Sequence, residues 1–353
     1  MPGNTHPLSR KRCFILLTLF LLADSLNTDW QPGGRLTWLL CPLAGLLGGL
    51  FCRVCIRLFA APPQKPGRLD RSVCVLWLLL AVLSLGWMLG NFGLFVTTCN
   101  DFVRRPAGIV VMTAAVALYI ACLPGHGLRR TAELCFPWIL AFLLLSFASS
   151  LGGWDLRRLL PIGPADPAAV LGGLWALLIR PFSQSFMAVA LLSREAEPEA
   201  LRAASRDASL TAGLILGLHH AKSTALVGFA LASRYHFPVY ALAGLRRSGS
   251  GSHIEDLLIC ALLAARLMKG AMLLRFSGLC LERAAGGRLR RNACTVLAAL
   301  PAFWLGCGWY MTDAGAAAWD RYGLWPLALL GFALPLGLWL RMERKQKKKG
   351  AAP

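Results

Sequence analysis

An apolar run from Ala168 to Leu192 is interrupted by Arg180-Pro181-Phe182-Ser183-Gln184-Ser185. Proline has no N–H and its ring clashes with the carbonyl four residues back, so it opens a helix. Two hydroxyls and an amide then lie beside freed backbone groups, with no fixed charge. Such groups can hold both ends of a zwitterion: N–H donors at a half-helix start face its carboxylate, and carbonyls face its ammonium. That favours an amino acid, although a sugar or a nucleoside suits the same groups. A second interruption lies near the start, where the run from Cys13 to Ala23 turns polar at Asp24, Ser25, Asn27 and Thr28. Asp24 there either holds a cation or ammonium group, or caps a second half-helix. Lys269 lies midway along a later apolar stretch, with Arg266 three residues earlier on almost the same face. A charge within a membrane span costs about 2.5–3.5 kcal/mol on insertion scales, so it faces a cavity, pairs or snorkels. The candidate ligand-binding residues are therefore Asp24, Ser25, Ser183, Gln184, Ser185 and Lys269.

Other polar residues in apolar stretches have plainer readings. His219, His220 and Lys222 either line a water path or pack against helix carbonyls, and packing is the simpler account. Arg275 stands near a span end and is expected to snorkel. Arg180 is expected to reach an interface rather than the ligand. Cys52-Arg53-Val54-Cys55 has redox or zinc spacing but no second ligand pair, so no metal site and no cofactor are expected. No nucleophile elbow, His-Glu-x-x-His or phosphate loop occurs, and the carboxylates are scattered, which argues against an enzyme.

Hydrophobic residues make up 56% of the 353, charged residues only 15%, and the mean hydropathy is +0.57. Most of the chain must therefore lie in lipid. Apolar segments fall at about 13–30, 36–60, 73–99, 107–123, 134–151, 168–192, 208–232, 254–280, 293–311 and 322–340. The expected fold is an all-α integral membrane protein of about ten transmembrane helices. The two interruptions fall in the first and the sixth, which predicts a five-plus-five inverted repeat with helices 1 and 6 broken. One polytopic domain is expected over 1–353, with repeats at about 13–151 and 168–340 and a basic tail at 341–353. Polar stretches Arg194–Asp207 and Ser233–Ser252 read as loops, with a short interfacial helix from Arg234 to Leu245. Arg10-Lys11-Arg12 before the first span also has the look of a signal peptide, with a poor cleavage site at Ala23-Asp24-Ser25. Losing that span would destroy the paired arrangement, so retention is expected.

The net charge of +20 raises nucleic-acid binding, which the placement of the charges argues against. With the N-terminus inside, 23 of the 37 Lys and Arg fall in inner segments and nine in outer ones. This bias is a topology signal with both termini cytoplasmic, and the tail would lie beside anionic lipid headgroups.

Gly127-Leu128-Arg129-Arg130-Thr131-Ala132-Glu133-Leu134-Cys135-Phe136-Pro137 is followed some twenty residues later by Leu159-Leu160-Pro161. Tyr235-His236-Phe237-Pro238, Ile254-Glu255-Asp256 and Lys269 come after in the same order. This series resembles a signature of the spore-germination receptor B-subunit family, within the amino acid–polyamine–organocation superfamily. The resemblance implies a sensing subunit in the spore inner membrane, working with A and C partner subunits to detect a nutrient germinant such as an amino acid. The chain departs from the pattern: Arg129 and Glu133 stand reversed and four apart, where they can still pair on one helix, and Asp256 replaces a basic residue. The alternatives are an ion-coupled amino-acid permease and a structural membrane subunit without a ligand.

Overall fold

The computed structural model describes residues 8–25, 34–60, 68–99, 106–160, 166–234, 237 and 254–350. Among these the regular structure is helical, apart from one isolated parallel bridge between Leu8 and Ala196. The helices are α1 (Arg10–Ser25), α2 (Thr37–Phe59), α3 (Arg68–Cys99), α4 (Pro106–Cys122) and α5 (Gly125–Ala148), then α6 (Pro167–Leu177), α7 (Ser185–Leu192) and α8 (Pro198–Val227). They continue with α9 (Ile254–Ala284), α10 (Arg291–Trp304), α11 (Asp313–Tyr322) and α12 (Leu334–Gly350). With α6 and α7 taken as halves of one run, and α12 joined to the π-helical turns Leu327–Ala333 before it, the expected spans each contain a helix.

Six of the described runs are long and apolar enough to cross a bilayer, from Gly34–Phe59 to Ala314–Lys347. The chain is a multi-pass membrane protein. Three helices outside that set, α1, α8 and α9, carry buried polar residues and stand at the centre. Leu19, Phe20 and Ala23 of α1 and Ala265, Arg266 and Ala271 of α9 are almost wholly buried. The outward faces of α2, α4 and α5 instead present Leu46, Leu50, Met112, Tyr119, Leu134 and Trp138. Polar groups within and apolar groups facing outward is what a hydrocarbon solvent demands.

The packing repeats at an offset of five runs. Run two (α2) lies against run seven (α8), and run three (α3) against run eight (α9). Both pairs are antiparallel, since Gly45 meets Gly213 while Gly49 meets Arg206, and Asn91 meets Arg266 while Trp77 meets Phe276. Run four packs on run eight just as run nine packs on run three. Antiparallel packing of equivalent helices is the signature of an inverted repeat.

Close approach of α2 and α8 depends on Gly45-x-x-x-Gly49 and Gly213-x-x-x-Gly217. A Cβ on Gly45 would lie 2.6 Å from the Ser209 carbonyl oxygen, and one on Gly213 would lie 2.7 Å from that of Cys41. Small residues at this spacing let backbones touch, which is how helices gain packing energy in lipid.

Several expectations are corrected. Arg194–Asp207 is not a loop throughout: Pro198 starts α8, and the good helix formers Glu199 to Ala204 carry it ahead of the apolar run. Helix α5 likewise begins at Gly125, nine residues before its apolar segment. The expected interfacial helix from Arg234 falls almost wholly outside the described residues; Phe237 is described and packs 5.0 Å from the Phe95 ring. Arg275 does not snorkel: it is buried and donates to the carbonyls of Ala121 at 2.9 Å, Leu123, and Pro124 at 3.3 Å, closing the end of α4.

Candidate functional site

The sixth run is broken where the proline predicts. After α6 the chain widens into a π turn over Leu178–Phe182, and a hydrogen-bonded turn precedes α7 at Ser185. Asp166 caps the first half, accepting from the Ala168 N–H, with Pro167 in the first turn. The three residues at the break differ in their commitments. Ser185 Oγ donates to the Phe182 carbonyl at 2.6 Å and accepts from Cys52 Sγ at 3.2 Å, so it holds the break in shape. Ser183 Oγ and Gln184 Oε1 are buried and make no hydrogen bond among the described residues. The run-ten π segment supports Ser183 from behind, with Gly331 so close that a Cβ there would stand 3.0 Å from Ser183 Oγ.

Two more buried hydroxyls are in the same condition: Thr18 Oγ1 on α1 and Ser84 Oγ on α3. Ser84 lies seven residues, two helical turns, from both Trp77 and Asn91, so the three share one face of α3. Trp77 stacks near Phe186 of α7 at 5.2 Å, and Asn91 Oδ1 accepts from Arg266 Nη2 at 3.0 Å. Ser84 thus stands between the α7 contact and the α9 contact, about 10 Å from each along the helix.

Lys269 and Arg266 bring α9 against α1. Lys269 Nζ lies 4.9 Å from the centre of the Phe20 ring, and Arg266 Nε donates to the Ala23 carbonyl at 3.2 Å. Arg266 also stacks 5.1 Å from Phe92. The backbone of Asp24 and Ser25 continues α1 beyond Ala23, while their side chains lie outside the described residues, as does the polar stretch 26–33.

Of the proposed site residues, Ser183, Gln184 and Ser185 are brought together on run six, which packs against α1. Lys269 lies on α9 against Phe20 of α1, Thr18 and Ser84 lie on α1 and α3, and Arg266 supplies the backbone contact to α1. A single hydroxyl in an apolar helix gives no sequence signal, because it ordinarily bonds back to its own helix. Lys222 belongs elsewhere: its Nζ donates to the Ser146 carbonyl and hydroxyl at 2.8 Å each, as the packing account expects.

The start of α1 and the end of run six are tied to their neighbours by ion pairs. Arg10 meets Asp207 at 2.5 Å and Arg12 meets Glu133 at 2.7 Å, while Arg129 pairs with Glu195. Arg129 and Glu133 therefore do not pair with each other along α5. Each reaches another element, and Leu8 N–H donates to the Glu195 carbonyl at 2.8 Å beside them. The Arg10 guanidinium holds the Asp207 carboxyl below the usual carboxylate range. Midway along run six, in the π turn, Arg180 Nη1 meets Asp320 Oδ1 at 2.9 Å and Nη2 donates to the Asp320 carbonyl at 2.8 Å. Arg180 thus reaches α11 near the surface.

These helices and this lining define a transporter fold of the inverted-repeat kind. Mhp1, a nucleobase-cation-symport-1 family transporter in a closed conformation with bromovinylhydantoin bound, superimposes with a TM-score of 0.61 at 14% identity, over 99% of this chain and 96% of that one. The Eremococcus coleocola manganese transporter, as its H236A mutant, gives 0.63 at 13% identity, over 92% of this chain and 77% of that one. The chain matches no protein-family model and no curated protein. The fold is shared with these two membrane transporters.

Proposed function

We propose that the chain is a small-solute permease that binds an amino acid between runs one, three, six and eight. The observation that carries this reading is that buried polar atoms without hydrogen-bond partners among the described residues, Thr18 Oγ1, Ser84 Oγ, Ser183 Oγ and Gln184 Oε1, lie on runs one, three and six, with Lys269 of run eight set against run one. Leaving such groups unsatisfied costs about 1–3 kcal/mol each, which a polar solute recovers on binding. The positive charge of Lys269, set against α1, suits a carboxylate. The same positive charge disfavours a metal cation as cargo, in contrast to the manganese transporter of similar fold. The arginine and lysine bias supports an orientation with both termini on the cytoplasmic side.

Proteoliposomes holding the purified chain should accumulate or exchange labelled amino acids with saturation, whereas empty vesicles should not. A second reading, a germinant-sensing subunit acting with A and C partners, keeps the same binding site and is favoured by one observation. The motif residues Arg129 and Glu133 anchor the ends of the two broken runs through Glu195 and Arg12, where a binding event is passed on most directly. Saturable binding without any uptake selects that reading over the permease.

A further inference from the structure

We propose that Cys74 and Cys280 form a redox-responsive thiol pair, which a peroxide closes to a disulfide that clamps α3 to α9 at one end. The assignment is independent of the solute that the chain carries. Helices α3 and α9 lie antiparallel, with Asn91 against Arg266 and Trp77 against Phe276. Cys74 stands one turn before Trp77 and Cys280 one turn after Phe276, so the same register sets them face to face. The two side chains meet there. Both are free thiols, almost wholly buried. They lie within a turn of the end of the packing, since Arg71 is exposed and Leu281 to Arg283 are half-buried.

Depth usually makes a cysteine an inert apolar residue, and two features set this pair apart. Each thiol has the other as its neighbour, so oxidation of one is resolved by the other before it reaches the irreversible acids. The Arg283 side chain also reaches Cys74, where a guanidinium can hold the thiolate that the reaction needs. The Cys74 sulfur attacks one peroxide oxygen, the O–O bond breaks, and the departing hydroxide takes up the proton that Cys74 gave up and leaves as water. The Cys280 sulfur attacks the resulting sulfenic acid at sulfur, the S–O bond breaks, and the hydroxyl leaves as a second water with the Cys280 proton. Two thiols are oxidised and one peroxide is reduced. In the orientation that the charge bias supports, this end faces the cytoplasm, where thiols are kept reduced and a bridge forms as a transient redox signal. The helices it joins carry Ser84 and Lys269, so closure holds those two walls in this arrangement. By contrast, Cys52 and Cys55 lie three apart on α2, and Cys52 is engaged with Ser185. A bridge there would join no two elements.

The test treats the reduced, purified full-length protein with hydrogen peroxide, unfolds and alkylates it, and maps the peptides by mass spectrometry. A peptide pair bridged through Cys74 and Cys280 should form within single chains and disappear on adding dithiothreitol. The bridged protein should unfold at a higher temperature than the reduced one, because a link between positions so distant in the chain restrains the unfolded state. Cys74→Ala and Cys280→Ala should each lose both the bridge and the peroxide-dependent rise. If either variant fails to fold, the map of the native chain still decides. Native protein whose two thiols stay open to alkylation after peroxide, or go on to sulfinic acid unbridged, would overturn the proposal. So would a bridge to any other cysteine or between two copies, a bridged protein no more heat-resistant than the reduced one, or a rise that persists in Cys280→Ala.

Discussion

Lys222 and Lys269 are both buried lysines in the middle of helices, and their surroundings separate them. Lys222 is spent on Ser146 and lies 5.4 Å from the Phe147 ring, whereas Lys269 faces α1 at Phe20, beside the broken runs. Lys222→Met should lower thermal stability by about 1.5–3 kcal/mol, the usual worth of hydrogen bonds to a charged group. It should leave the half-saturating solute concentration for uptake unchanged; a shifted concentration would place Lys222 in the site. Ser183 and Gln184 were legible in the sequence because Pro181 stands beside them and proline has one unambiguous effect on a helix. Thr18 and Ser84 were not, since only their three-dimensional neighbours show that their oxygens lack partners. Arg275 was misread for a related reason: depth along a helix is visible in sequence, but the open end of α4 that receives the guanidinium is not.

At the scale of elements, hydropathy located the spans and misplaced their beginnings. It reports which residues meet lipid, while α5 and α8 start as polar, good helix-forming segments outside the apolar run. The pairing of α2 with α8 was present in the sequence as two Gly-x-x-x-Gly motifs on equivalent helices, a signal that hydropathy alone passes over. Gly45→Ala forces a Cβ to 2.6 Å from a backbone oxygen that cannot swing away. It should cost about 1–3 kcal/mol, the range for overpacking, seen as a lower unfolding midpoint. Gly172→Ala, on α6 with nothing within 4 Å, should be neutral or slightly stabilising in the same measurement. Equal losses in the two would argue against close α2–α8 packing.

For the whole molecule, the two interruptions predicted an inverted repeat, and the antiparallel contacts of runs two with seven and three with eight bear it out. Charge bias adds an orientation: single cysteines at 313–320 and 246–253 should react with an impermeant reagent from outside, and those at 61–68 and 344–349 should not. Outside labelling of the basic tail would reverse the assignment. The solute was only partly legible, because hydroxyls and amides specify a polar ligand without distinguishing its class. The most direct measurement is the unfolding midpoint of the purified protein against a panel of amino acids, for the native chain and for Ser183→Ala with Gln184→Met. A ligand at a hundred times its dissociation constant adds about 2.7 kcal/mol, so at least one amino acid should raise the native midpoint. Since Ser183 Oγ and Gln184 Oε1 make no hydrogen bonds among the described residues, the double variant should unfold at or above the native temperature without ligand and lose the amino-acid shift. An undiminished shift in the double variant, or no shift with any amino acid in the native protein, would contradict the account.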